Sequence, residues 1–251
     1  MRLKSAALGL LLAAACNVQA SDVGFEPHPG AQLPLDITMR DEADRPLTLG
    51  AAMGASPWIL TFGYFNCPNL CDTVRADLIG ALKGLPPDLA YRVAAVSIDP
   101  GEAVADVNEA RVRDATYQSR AGRWRYLRAD AATLAVLTRA AGFKARYDAA
   151  TGQIAHPAGL VFVTPQGQVS SYLLGVGYRS EAVARALADA GQGRLAAAPP
   201  AAVALLCFDY DASTGRYSFA ILKLLRALGI LSVLVIAGGI VLLARRPRLH
   251  A

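Results

Sequence analysis

An apolar run from Trp58 to Phe65 breaks at Asn66 into the turn Cys67-Pro68-Asn69-Leu70-Cys71. A run this short, without polar alternation, reads as a strand buried on both faces. Beyond the turn, Val74, Leu78 and Leu82 recur at i, i+4 and i+8, the spacing of one buried helix face. A core strand that stops at two thiols and resumes as a helix needs a central sheet around it. It also sets the thiols near the positive end of the helix dipole, where the thiolate is favoured. The turn is therefore expected to bind a soft metal or to carry out thiol redox chemistry.

The elements on either side fit that sheet. Residues 21–34, with Pro27, Pro29 and Pro34, read as an extended lead-in. Asp36–Met39 and Leu47–Leu49, joined by polar residues, read as a hairpin, and Pro86-Pro87-Asp88 stops the helix that follows the Cys turn. Tyr91–Ile98 is a second unbroken apolar strand, ending at Asp99-Pro100-Gly101, and a helix pattern continues to about Arg120. Trp124–Leu127 reads as a short strand, and Ala131–Ala141 as a helix ended by Gly142. Leu160–Thr164 and Val169–Leu174 flank Pro165-Gln166-Gly167-Gln168, a hairpin tip. Ser180–Ala190 closes the domain as a helix, with Ser180 as its expected cap. Strands alternating with helices imply right-handed parallel crossovers, and the late hairpin adds an antiparallel edge. The expected class is α/β, a mixed central sheet flanked by helices. Gly191 to Pro200 reads as a linker.

Charge bears on what the chain can bind. The formal net charge is +5, but residues 21–218 hold 18 Lys and Arg against 20 Asp and Glu, a balance of −2. The positive excess sits at the two ends, the signature of membrane topology, and excludes a nucleic-acid footprint on the globular part. The basic residues between Arg111 and Arg128 read as a solvated helix face and its flank.

Arg2 and Lys4 followed by Ala6–Ala15 have the charged and apolar regions of a secretory signal, with Val18-Gln19-Ala20 offering cleavage after Ala20. Lipid attachment at Cys16 is the rival reading. At the other end, Ala227 to Ala244 is an uncharged run of 18 residues. At 1.5 Å per residue it is about the minimum that spans a bilayer core of roughly 30 Å. Arg245, Arg246 and Arg248 follow it, which places the C-terminus in the cytoplasm and the main domain outside.

Cys16, Cys67, Cys71 and Cys207 are the cysteines. Outside the cytoplasm close thiols tend to oxidise, so an inert disulfide is the plain alternative for Cys67 and Cys71. Bridging so short a turn constrains little chain, and a pair poised at a helix start suits a change of state better. A structural zinc site wants four ligands. Two thiolates and the imidazole of His156, which stands just before the Leu160–Thr164 strand, form a low-coordinate soft set that suits copper. His28 reads as a surface histidine. Cys207 has no obvious partner; it lies beside Phe208, Tyr210, Tyr217 and Phe219, which flank a small hairpin at the expected headgroup level.

The combination of Phe62-Gly63-Tyr64-Phe65-Asn66-Cys67-Pro68-Asn69-Leu70-Cys71, Ser97-Ile98-Asp99-Pro100, His156 and Val163-Thr164-Pro165-Gln166-Gly167 resembles the Sco/SenC family of thioredoxin-fold copper chaperones over roughly residues 30–192. Asp72 stands where that family commonly has Pro, and the C-terminal span resembles a divergent branch. The resemblance implies that Cys67, Cys71 and His156 bind copper, and that the recipient is the copper-bearing subunit of a cytochrome c oxidase. The expected organisation is a signal peptide over 1–20, a thioredoxin-like domain over 21–192 and a linker with membrane-proximal hairpin over 193–218. A transmembrane helix over 219–244 and a cytoplasmic tail over 245–251 complete it. Two functions follow: a membrane-anchored, extracytoplasmic copper-delivery factor for a haem–copper oxidase, or a thiol–disulfide oxidoreductase, fed by a thiol reductant, that keeps partner cysteines reduced. A peroxidase-like role has no accompanying signature.

Overall fold

Leu60 and Phe62 pack on one face of the central sheet and Ile59 on the other, all 4% exposed or less. That two-sided burial is why the strand reads as an unbroken apolar run. The computed structural model describes residues 23–66, 71–115, 121–149, 152–197, 208–211, 216–219, 229–232 and 234. In chain order they form β1 (Gly24–Phe25), β2 (Thr38–Arg40), β3 (Pro46–Thr48), α1 (Leu49–Met53), β4 (Trp58–Gly63), α2 (Cys71–Lys83), β5 (Arg92–Ser97) and α3 (Val104–Ala115). Next come β6 (Trp124–Leu127), α4 (Ala131–Ala140), β7 (Phe143–Lys144), β8 (Arg146–Asp148), β9 (Gln153–Ala155), β10 (Gly159–Val163), β11 (Val169–Leu174) and α5 (Ser180–Gly191). A hairpin of β12 (Phe208–Asp211) and β13 (Arg216–Phe219) follows.

Five strands make the central sheet in the order β11-β10-β4-β5-β6. β4, β5 and β6 are parallel, while β10 is antiparallel to both of its neighbours. The sheet is mixed, as expected, with β11 at one edge. One apolar layer, with Met39, Leu49, Met53, Leu134, Leu137 and Phe143, covers one face. Val74, Leu78 and Leu82 of α2, Val107 of α3 and Val183 and Leu187 of α5 cover the other. The i, i+4, i+8 face of α2 is therefore buried as its spacing required.

The β2–β3 hairpin forms, and its connection is tied by one carboxylate. Asp41 accepts from the backbone N–H groups of Ala43 and Arg45, each at 2.9 Å, and from the Arg45 guanidinium. α4 ends at Gly142, whose φ of +63° only glycine adopts freely. A Cβ there would meet the Glu26 carbonyl oxygen at 1.9 Å, because Glu26 donates its N–H to the Gly142 carbonyl as β1 pairs with β7. The lead-in is thus anchored at this point.

Three features differ from the sequence reading. Ser180 does not cap α5: Arg179 occupies the cap position without a side-chain bond, and Ser180 instead lies against Gly84, where a Cβ would come within 2.5 Å of its hydroxyl. The stretch before His156, to which the sequence assigns no element, is partly a hairpin, since β8 pairs with β9. The start of the linker is docked, with Ser170 Oγ donating to the Arg194 carbonyl at 2.6 Å and Ala196 N–H to the Ser170 carbonyl at 2.8 Å.

The aromatic hairpin forms, with Phe208 opposite Phe219 and Tyr210 opposite Tyr217 in register. Of the apolar run 227–244, residues 229–232 and 234 are described and are helical. Among the described residues no helix is long and apolar enough to cross a membrane. The rest of that run, the signal segment with Cys16, and Cys207 lie outside the described residues.

Candidate metal and thiol site

The register of the sheet decides what meets the Cys turn. β4 and β5 run parallel with Gly63 opposite Ser97, so both strands end at one edge. β10 runs the other way, with Leu160 opposite Thr61, and so begins at that same edge. His156, just ahead of β10, is delivered to the point where β4 leads into the turn. The Tyr64 ring, one residue beyond β4, meets the imidazole edge-on at a centroid distance of 5.9 Å and 73°. Phe143 stands 6.2 Å away. His156 is half-buried, and its Nδ1 lies 3.1 Å from the Pro157 carbonyl oxygen. In the tautomer that donates from Nδ1, Nε2 carries the lone pair a metal requires.

Cys71 is the first residue of α2, a helix of 13 residues. Cys67 lies outside the described residues, as do Pro68, Asn69 and Leu70. Among the described residues no three His, Cys, Asp or Glu side chains cluster as a metal site. Both flanks of the turn, Asn66 and Cys71, and the neighbourhood of His156 are thus in place. The imidazole that the structure places at this edge and the two thiols that the sequence places in the adjoining turn are donor types that fit a soft cation.

A residue that the sequence reading passed over holds the near flank. Glu102, 4% exposed, turns its carboxylate inward: Oε2 accepts the Phe65 N–H at 2.7 Å and Oε1 the Asn66 N–H at 3.0 Å. Ser97 Oγ donates to Oε2 at 2.6 Å and accepts the Asp99 N–H at 3.1 Å. The Ser97-Ile98-Asp99-Pro100 stretch therefore serves to present Glu102. The available signal was an acidic residue two positions ahead of α3, which reads more simply as a complement to that helix's dipole.

A family model described as SCO1/SenC matches residues 37–191. The chain belongs to the SCO1/SenC family. No curated relative matches it in sequence. Among solved structures, a "putative electron transfer protein" of Aquifex aeolicus superposes with a TM-score of 0.59 at 24% identity, covering 66% of this chain and 96% of that one. Copper-bound ScoI of Arabidopsis thaliana gives 0.53 at 12% identity, with 66% and 98% covered. Copper-bound Sco1 of yeast gives 0.52 at 17%, with 66% and 92% covered. These likenesses establish the thioredoxin-like fold of the family.

Around the SCO1/SenC turn, the buried side of α2 carries a charge. Arg75, one turn beyond Cys71 and 3% exposed, donates to Asp114 Oδ2 at 2.9 Å and lies under the Phe65 ring at 5.4 Å. The Tyr126 hydroxyl donates to the same Asp114 oxygen at 2.9 Å. α2, α3 and β6 are thereby tied together behind the turn. In front, a groove of about 450 Å³ lined by Tyr64, Asp99, Leu134, Phe143, Tyr147 and Ile154 opens beside the histidine.

Elsewhere the basic stretch is spent on local partners: Arg123 donates to the Leu89 carbonyl, Arg125 pairs with Glu42, and Arg128 pairs with Asp44. His28 is exposed.

Proposed function

We propose that this SCO1/SenC protein binds Cu(I) through the thiolates of Cys67 and Cys71 and the imidazole of His156, and delivers it to the copper-bearing subunit of a respiratory haem–copper oxidase. One observation supports this reading above the others. The antiparallel insertion of β10 brings His156 against Tyr64, at the exit of the strand that leads into the thiol turn. Two thiolates and an imidazole favour copper over zinc, since a structural zinc site needs a fourth protein ligand. Copper-bound structures of ScoI and Sco1, which share the fold, point the same way. The apolar run before Arg245 and the charged N-terminus support a domain held outside the cytoplasm by a single C-terminal span.

The helix start at Cys71 also supports a second reading, a thiol–disulfide oxidoreductase that reduces a partner's cysteines. The two separate on one residue, because exchange needs both thiols and no imidazole. Copper titration of the reduced protein, wild type beside His156→Ala, Cys67→Ser and Cys71→Ser, tests the proposal. One Cu(I) per chain, lost in all three variants, is expected. Wild-type binding by His156→Ala would remove the copper reading, and exchange with a dithiol would then carry the second.

A further inference from the structure

We infer that Glu102 is the positioning residue of the thiol turn, holding its entry through two successive backbone N–H groups and so setting both metal affinity and thiol reactivity. For its metal arm the inference rests on the copper reading above. Two consecutive N–H groups, Phe65 and Asn66, converge on the two oxygens of one carboxylate at 2.7 and 3.0 Å. A carboxylate is the one side-chain group that offers two acceptor oxygens in a plane; an amide offers one and would turn its NH₂ towards the other donor. Burying an anion costs several kcal/mol unless it is well satisfied, so Glu102 is an expensive way merely to fill space. Its described partners are the two N–H groups and the Ser97 hydroxyl, all of them dipoles.

Cys67 follows the clamped Asn66 by one peptide unit. The clamp therefore fixes the point from which the chain enters the thiol turn. It reaches further through Phe65, whose ring covers Arg75 and packs at 5.6 Å on Tyr126. Glu102 is itself anchored at the main chain, where Arg128 Nη1 donates to its carbonyl at 2.9 Å. Outer-sphere groups of this kind typically control metal affinity by 10- to 100-fold.

The test compares wild type, Glu102→Gln, Glu102→Asp and Ser97→Ala in two measurements: Cu(I) affinity by competition with a chromophoric chelator, and the rate of iodoacetamide alkylation of the reduced thiols. Ser170→Ala, which removes the hydroxyl bond to the Arg194 carbonyl in the edge strand β11, controls for loss of stability. Glu102→Gln and Glu102→Asp are expected to bind Cu(I) at least about tenfold more weakly and to alkylate at rates at least about threefold different from wild type, with native circular dichroism. Asp keeps the charge but not the reach, so wild-type behaviour in Glu102→Asp would refute the clamp. Wild-type values in both folded variants would overturn the inference outright. If both variants fail to fold, Ser97→Ala decides: it frees Oε2 from the hydroxyl, a shift of about threefold in the same direction is expected, and none would overturn the inference. If wild type itself binds no Cu(I), the copper reading falls, and the alkylation rates alone decide the role of Glu102.

Discussion

The rings of Tyr64 and His156 meet edge to face at 73°, with centroids 5.9 Å apart. Tyr64 is 8% exposed and belongs to the strand exit, so its ring is a fixed wall for the histidine. Edge-to-face pairs are worth about 0.5–1.5 kcal/mol beyond burial. Replacing Tyr64 by Leu should therefore weaken Cu(I) binding by a factor of about 2 to 10 and leave the stoichiometry at one. Competition titration with a chromophoric chelator reads this. Complete loss of the ion, or no change, would mean that the ring does not orient the imidazole.

The Arg75–Asp114 pair is deeply buried, both side chains being 8% exposed or less. Breaking it from one side leaves an uncompensated charge in the interior. Asp114→Ala should cost about 3–5 kcal/mol in urea unfolding, whereas Arg75→Met with Asp114→Leu should recover most of that loss. A single substitution no worse than the double would show that the guanidinium finds water instead.

Asp41 gives the fold a pH dependence. Burial pushes its carboxyl up, but the bonds from the Arg45 side chain and from the Arg45 and Ala43 backbone outweigh this and hold it below its ordinary 3.8. A carboxyl depressed on folding contributes stability that is fully present above its unfolded pKa and is lost as pH falls through the folded one. Asp41→Asn should thus be less stable than wild type by no more than about 1 kcal/mol at neutral pH, with the gap closing below pH 3.8. Both backbone bonds end on Oδ1, which Asn keeps, so what is lost is the bonding of Oδ2 to Arg45, whose side chain is 73% exposed and screened. Thermal melts of the pair across pH 3 to 7 are the measurement.

Gly142→Ala should be severe. The new methyl must displace the Glu26 carbonyl as well as hold a left-handed φ, so about 3 kcal/mol or more is expected. Amide exchange at Glu26 and Phe25 should accelerate with it, because the β1–β7 pairing depends on this approach. Slow exchange there with an unchanged melting temperature would show that the chain simply shifts.

The sheet was legible because its strands are buried on both faces and its helices on one. Trp58–Gly63, Arg92–Ser97 and Gly159–Val163 announce themselves as apolar runs, and α2 by its periodicity. Short two- and three-residue strands carry no such pattern, which is why the sequence assigns no element to β7, β8 and β9. The approach of His156 to the strand exit was inferable once β10 was taken as central. Glu102 was not: its inward turn depends on donors 36 and 37 residues away, and a lone acidic residue near a helix start looks the same whether it faces solvent or the core. Ser180 misled for the opposite reason, having a cap's chemistry while its place was fixed by packing on Gly84.

The position of β10 carries a consequence for biosynthesis. Thr61 and Leu160 are neighbours across the sheet yet lie far apart in the sequence. A chain emerging from a ribosome presents the Cys turn long before His156 exists, and His156 reaches Tyr64 only when the last strands slot in beside β4. The contact of His156 with Tyr64 is thereby reserved for the finished domain, while the half-made chain carries the Cys turn without it.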